Sequence, residues 1–389
     1  MGTINIIGNN LKTALDYLSP AVGNKTSAKQ EPGLLYLKTI PSHNKILLQV
    51  QSDSICAKTY CEPSSDLPDD VLECLVDYSL IMSYVKNNPQ STDFTLDFAD
   101  IESDILKVTA GKKFIGTIRS VPLDAYEVIE FTETTDLGEV DSSKFNEMLS
   151  MTSQFANIRS DSQDFIQIVG EDESINMFAQ GDALAAFSMD QELDEDIDIT
   201  VKASAIKRIK GFSSDRVMLQ LTDDGYFFIM KESGQGIRAI VLHSDPPITY
   251  QEFNESVEDS LPYSLAWSVD EMDSVLKAVD ASSSNGYFNF YIPDASTMVV
   301  KTENQQNNST KMELNIVSSN FDSDLLSEDV FRSSLPLFRK IGILNKKVNK
   351  VEVLFNSNDE DYDTPYVEKM QAAGDINGIE YKIAFNVVN

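Results

Sequence analysis

Side chains that could move a proton, hold a metal or attack a bond are sparse in this chain. There are two histidines, His43 and His243, and neither lies near a cysteine or at metal-ligand spacing from the other. Three cysteines, Cys56, Cys61 and Cys74, crowd into the first fifth of the sequence without a Cys-x-x-Cys pair, a pattern that fits reduced thiols better than a disulfide framework or a structural zinc. Acidic pairs such as Asp69-Asp70 and Asp223-Asp224 recur, but with 24% of residues charged, chance supplies such pairs and none stands out as a hydrolase dyad. Gly234-Gln-Gly236 lacks the later glycine and helix start that a phosphate loop needs, and no Gly-x-Ser-x-Gly elbow or His-Glu-x-x-His helix occurs. The expectation is a protein without catalytic residues, cofactor or metal.

What remains is charge. The 389 residues carry 31 Lys and Arg against 62 Asp and Glu, a net charge of -31 that as a whole repels phosphate. The few cations are not spread evenly. Six windows with helical periodicity, 9–19, 77–88, 142–156, 202–212, 269–281 and 328–347, hold 13 of the 31 basic residues and only 9 of the 62 acidic ones. In the window from Lys202, a helical wheel gathers Val201, Ala205, Ile209 and Phe212 on one face and sends Lys207 and Lys210 the opposite way. A ring with such helices turned inward would offer phosphates a basic lining behind an acidic outer shell. Enclosure would replace tight contacts and leave sliding easy. The candidate contacts are Lys12, Lys86, Lys144, Lys202, Lys207, Lys210, Lys277, Arg332, Arg339 and Lys340.

The elements that must position these residues recur. Leu11, Leu15 and Leu18 stand at i, i+4, i+7; Phe145, Leu149 and Thr152 repeat that spacing, and so do Met272, Leu276 and Val279. Second helices are predicted at 77–88, 202–212 and 328–347, each followed by a stretch alternating with period two: Phe94 to Phe98, Val217 to Leu221 and Val351 to Phe355. Turn signals at Ala110-Gly111-Lys112, Asp223-Asp224-Gly225 and Asn377-Gly378 separate strands. The reading is an α+β chain of three repeated domains, 1–131, 132–254 and 255–389, each with two helices lining the inside and antiparallel sheets outside, forming a ring. Acidic runs at 190–198 and 359–363 read as solvated loops, and 282–286 and 304–309 as hairpin tips.

At this point the sequence resembles the bacterial-type β sliding clamp over nearly its full length. Gly181-Asp-Ala-Leu184-Ala185-Ala-Phe-Ser188-Met189 looks like the family's Asp-Gly-His-Arg-Leu-Ala segment and its continuation, with Gln180, Asp182 and Ala183 replacing the family's Asp, His and Arg. Pro246-Pro247-Ile-Thr-Tyr250 is similar to the Phe-Pro-Asp-Tyr that closes the family's second domain, and Val121-Pro122-Leu-Asp-Ala-Tyr126 to the close of the first. The resemblance implies a DNA polymerase processivity factor, two copies of which close a ring around double-stranded DNA irrespective of its sequence. It also implies a pocket that receives a short apolar peptide from the DNA polymerase and the clamp loader. Carried over, the pocket is walled by Gly181, Leu184, Pro247, Phe253, Ala384, Phe385 and Val387, and the changes at Asp182 and Ala183 imply a different partner motif. Domain one of one copy would meet domain three of the next by strand addition at the edge Phe114 to Ile118, and the matching helix end, Val279-Asp280-Ala281, is so little apolar that weak ring closure is expected. The divergence and acidity are those of a phage-encoded or fast-evolving clamp.

No basic region followed by an apolar run opens the chain and no window approaches a membrane span, so a cytoplasmic protein without a membrane partner is expected. Two other classes share its acidity and strand content. A β-rich structural assembly protein has no reason to repeat a two-helix unit three times with basic faces, and a carboxylate hydrolase would need an acid pair that the sequence does not single out.

Overall fold

The computed structural model describes residues 2–22, 33–99, 104–111, 114–171, 173–209, 211–257, 261–280, 286–294, 296–303, 309–320, 331–358 and 366–385. Among them one order of elements occurs three times: a strand and a helix, four strands, a second helix, three strands. The first round is β1 (Thr3–Ile7), α1 (Gly8–Leu18), β2 (Leu34–Ile40), β3 (Lys45–Gln51), β4 (Ile55–Cys61), β5 (Glu73–Asp77), α2 (Tyr78–Lys86), β6 (Asp93–Asp97), β7 (Ile105–Ala110) and β8 (Phe114–Val121). The second is β9 (Thr134–Asp141), α3 (Ser142–Phe155), β10 (Phe165–Glu171), β11 (Ser174–Gln180), β12 (Ala183–Asp190), β13 (Ile197–Lys202), α4 (Ala203–Ile206), β14 (Arg216–Thr222), β15 (Phe227–Glu232) and β16 (Gly236–His243), followed by α5 (Tyr250–Ser256). The third is β17 (Tyr263–Ser268), α6 (Val269–Asp280), β18 (Tyr287–Asp294), β19 (Thr297–Glu303), β20 (Ser309–Ser319), β21 (Phe331–Ser334), α7 (Leu335–Leu344), β22 (Lys350–Asn358), β23 (Tyr366–Asp375) and β24 (Ile379–Phe385).

Strand pairing repeats with the order. The opening strand of each round runs antiparallel to the strand after the second helix, as Ile4↔Leu96, Val217↔Val140 and Leu265↔Val353. The middle strands form the ladders β5-β2-β3-β4, β13-β10-β11-β12 and β21-β18-β19-β20. One round is sewn to another by the same strands: β4 pairs with β16, as Ala57↔Arg238, and β12 pairs with β24, as Ala185↔Ile383.

The helices form where the spacing placed them. Leu11, Leu15 and Leu18 on α1, Phe145, Leu149 and Thr152 on α3, and Met272, Leu276 and Val279 on α6 are all buried, the hydroxyl of Thr152 donating to the Met148 carbonyl at 2.8 Å. Full burial stabilises by roughly 1.5–3 kcal/mol per large apolar side chain. Asp77 caps α2 by accepting from the Ser79 and Leu80 amides at 2.7 and 3.2 Å.

Two predicted helices differ from the structure. The window 202–212 holds only the four residues of α4, with Lys202 ending β13 and Lys207 in the turn that follows. Tertiary contacts stop this helix. The Gly211 carbonyl accepts from Arg238 at 2.7 Å and the Ser213 amide donates to Glu232 at 2.7 Å, so those backbone groups are taken from helical bonding, and Gly211 turns the chain at φ 47°. In the window 328–347 the described residues open with β21, so Arg332 lies on a strand, and the helix starts only at Leu335. Pro336 sets that start: its ring and missing amide fit only the first turn of a helix.

The chain divides into two compact units, Met1–Ser143 with Lys207–Leu242, and Lys144–Ile206 with His243–Asn389. The first contains a buried ion pair. Arg238 and Glu232 approach to 3.4 Å with side chains 6% and 0% exposed, the Arg238 guanidinium lies 4.1 Å from the Tyr17 ring centroid, and the Ser213 amide and hydroxyl both donate to Glu232. Burial, tempered by Arg238, pushes the Tyr17 phenol far above its ordinary range. This cluster ties α1 to β15, β16 and the loop after α4. The second unit is centred on Trp267, stacked on Phe338 of α7 at 5.7 Å, with Phe338 in turn against Phe288, Phe290 and Phe385.

Removing one member of a buried pair strands the other. Arg238→Met is expected to lower the unfolding free energy by about 3–5 kcal/mol in urea titrations. Adding Glu232→Leu to the same chain should restore most of the loss.

Candidate nucleic-acid interface and peptide groove

The expected phosphate contacts fall on elements of different kinds. Lys12 is on α1, Lys86 closes α2 and is exposed, and Lys144 opens α3 and is exposed. Lys277 is on α6, and Arg339 and Lys340 are on α7. Lys202 is on a strand, Lys207 is exposed in a turn, Lys210 lies outside the described residues, and so does the side chain of Arg332.

Four of these cations are held by nearby carboxylates: Lys12 by Asp16 at 2.6 Å, Lys277 by Asp273 at 2.6 Å, Arg339 by Asp280 at 2.8 Å and Lys340 by Asp182 at 3.5 Å. The Lys277 ammonium holds the Asp273 carboxyl below its ordinary range. Such exposed pairs are worth only about 0–1 kcal/mol each, so a phosphate can take over a cation at little cost.

The residues expected to wall a peptide pocket fall within the second unit, and three of the seven, Leu184, Phe253 and Ala384, meet there. Phe178 on β11, Ala186 on β12 and Phe253 on α5 are buried together, with the Phe178 and Phe253 rings 5.1 Å apart, and Leu184, Ile248, Tyr250, Val257 and Ala384 pack around them half-buried. Leu184 and Ala384 face each other directly in the β12–β24 ladder. A cavity of about 160 Å³ adjoins this floor at Ala186, Tyr250 and Phe253, rimmed by Asn176, Ser188 and Lys382, a size that admits a peptide side chain better than a cofactor.

Two expected wall residues, Pro247 and Phe385, sit elsewhere. Pro247 is exposed, and its neighbour Ile248 packs on the floor instead. Phe385 pairs with Ala183 and packs on Phe338 at 5.7 Å, because successive residues of a strand point to opposite faces. Val387 is outside the described residues, as are the acidic run 359–363, Ser282 to Asn285, Asn304 to Asn308, Lys112 and Ala281. The sequence reading missed Phe178 and Tyr250, and it missed α5 altogether. A signal for α5 was present, since Thr249-Tyr-Gln-Glu252 is a capping box before an apolar residue.

The box is made: the Glu252 amide donates to Thr249 Oγ1 at 3.2 Å, and the Thr249 amide donates to Glu252 Oε2 at 2.8 Å, which holds that carboxyl below its ordinary range. The α5 entrance is tied to the sheet by Gln167, buried on β10. Its Oε1 accepts from the Tyr250 amide at 2.6 Å and its Nε2 donates to Asp198 at 2.7 Å. Gly181 closes the β11–β12 turn where no side chain fits, since a Cβ there would collide with the Phe155 carbonyl oxygen.

Among the described residues, no three His, Cys, Asp or Glu gather to hold a metal, and no helix is long and apolar enough to cross a membrane. Burial pushes the thiols of Cys56, Cys61 and Cys74 up to about 12. His243 packs on Phe165 at 5.8 Å, and burial, helped by Lys202, holds its imidazole below the ordinary histidine range against the opposing pull of Asp164.

No protein-family model matches the chain, and no curated protein does. Solved structures do match. The DNA polymerase III β subunit of Thermotoga maritima has a TM-score of 0.79 at 15% identity, and that of Pseudomonas aeruginosa 0.81 at 11%, with 100% of both chains covered in each case. The fold is that of the bacterial β sliding clamp. The C. crescentus β sliding clamp, at TM-score 0.80 and 11% identity, covers 100% of this chain with 99% of its own. A clamp fold accounts for the threefold element order at an identity too low for sequence comparison to register.

Two measurements probe this region. Gly181→Ala should destabilise the chain by about 1–3 kcal/mol in urea melts, because a backbone oxygen has to move to make room. The low His243 pKa means that the unfolded chain, with an imidazole near its ordinary value of about 6.5, binds a proton that the folded chain refuses. Stability is therefore expected to fall as pH drops below about 6.5. The thermal midpoint of His243→Phe should be flatter than wild type between pH 7.5 and pH 5.5, a window above the ordinary carboxylate range.

Proposed function

We propose that this chain is a DNA sliding clamp: a non-enzymatic processivity factor, without cofactor, that encircles double-stranded DNA of any sequence and tethers a DNA polymerase. The observation that carries the reading is the full-length match to DNA polymerase III β subunits by a chain whose strand-helix order repeats three times. The repeats support three domains, 1–131, 132–254 and 255–389, and a cytoplasmic setting follows from the function.

Ring closure follows from the pairing rule inside the chain. The last strand of one repeat covers the edge strand of the repeat before it, β16 on β4 and β24 on β12. The same rule applied once more lays β8 of one copy along β20 of another. Residues Phe114 to Arg119 of β8 pair only with β7 among the described residues, and Ile115 is 70% exposed. Two copies joined head to tail at both ends close a ring. The cations on the helices then line it, exchanging their carboxylate partners for phosphates as DNA passes, while the net charge of -31 keeps the outside free of DNA.

The groove around Phe178 and Phe253 is the docking site for an apolar peptide from the polymerase or clamp loader, held by side chains that enter beside Leu184 and Ala384. The C. crescentus clamp carries polyethylene glycol at a region described as a β-motif tethering region.

Negative-stain imaging with light scattering tests the ring: a closed particle of two chain masses is expected, whereas sheets or tubes would support a structural assembly protein instead. In a salt titration of duplex binding, Lys207→Ala with Lys210→Ala should reduce the slope of log affinity against log salt by about 2 and leave the oligomer intact. An unchanged slope removes these lysines from the lining.

A further inference from the structure

The groove and the cationic helix α7 touch through the turn between β11 and β12. Lys340 on α7 sends its ammonium 3.5 Å from Asp182 and 5.6 Å from the centroid of the Phe155 ring. Asp182 follows Gly181, where an added Cβ would collide with the Phe155 carbonyl oxygen, and precedes by two residues Leu184, which packs on the groove floor. The Gly181 amide donates to the Ala183 carbonyl at 3.0 Å, so the turn moves as one piece. The Lys340 side chain is 24% exposed and that of Asp182 47%, so both ends of the contact remain open to solvent and to a competing anion.

Resting on the clamp reading, we propose that the Lys340–Asp182 contact couples DNA to the peptide groove. Without DNA, Lys340 pins the Gly181–Asp182 turn against α7. A backbone phosphate that takes the Lys340 ammonium leaves the Asp182 carboxylate without its cation, and the turn loosens together with Leu184. DNA-bound and DNA-free clamps then present different grooves to the partner peptide. Removing Asp182 takes away the carboxylate that competes with phosphate for Lys340 and so tightens DNA binding. An exposed ion pair of this kind limits the coupling to about 5-fold.

The test is hydrogen exchange on the full-length protein with and without a 30-base-pair duplex of arbitrary sequence at low salt. Duplex binding is followed by fluorescence anisotropy in the same samples. In the wild type, duplex is expected to lower protection of the Gly181 to Leu184 amides by about 2–5-fold. In Asp182→Asn, protection of these amides should start at the lowered level and not respond to duplex, and duplex should bind about 2–5-fold tighter than to the wild type. The exposed Asp194→Asn, which removes the same charge elsewhere, should bind duplex as the wild type does. Duplex binding with unchanged turn protection overturns the coupling and leaves the clamp reading standing. Equal tightening by Asp182→Asn and Asp194→Asn also overturns it, since net charge alone would then explain the gain. Failure of any variant to bind duplex overturns both.

Discussion

A β-strand at the edge of a sheet presents unpaired amides and carbonyls, and satisfying them governs how this chain is arranged. Each repeat makes two four-stranded antiparallel sheets, and each of them has an outer edge. β16 covers β4 and β24 covers β12, so consecutive repeats are joined by main-chain hydrogen bonds that tolerate almost any side chains. That tolerance explains how 11–15% identity suffices to keep one fold. The joint demands geometry and alternation of buried residues, and both survive wholesale exchange of the residues themselves. It also explains the two compact units, because the second repeat gives half its strands to each neighbour.

Once the ladders are set, polar groups inside them need partners, and a few residues carry that burden. Arg238 and Glu232 are buried as a pair and use the main chain of Gly211 and Ser213, which fixes where the chain turns after α4. Gln167 bridges the sheet to the first turn of α5 and so places Phe253 on Phe178. The groove is thus built from a strand pair, a capped short helix and a glycine turn, each held by hydrogen bonds as well as apolar contacts.

Charge is organised at a shorter range. The carboxylates that offset Lys12 and Lys277 lie one helical turn away, and those that hold Arg339 and Lys340 lie on other elements. Exposed pairs contribute little to stability.

The sequence by itself determined the three rounds of helix and alternating strands, the hairpin turns and the absence of recognisable catalytic motifs. These are local properties, read from periods of 3.6 and 2 and from glycine and asparagine at turns. Pro336 was a further local signal for where α7 begins, as the capping box was for α5. Tertiary structure alone decided that α4 stops after one turn, because the bonds that stop it come from Arg238 and Glu232 on later strands. It alone decided that Ala384 faces the groove while Phe385 turns to Phe338, because the facing of a strand follows from its register against a partner far away in the chain. The Lys340–Asp182 contact was settled in the same way, since the two become neighbours only when β24 has docked on β12 and α7 has packed beside them.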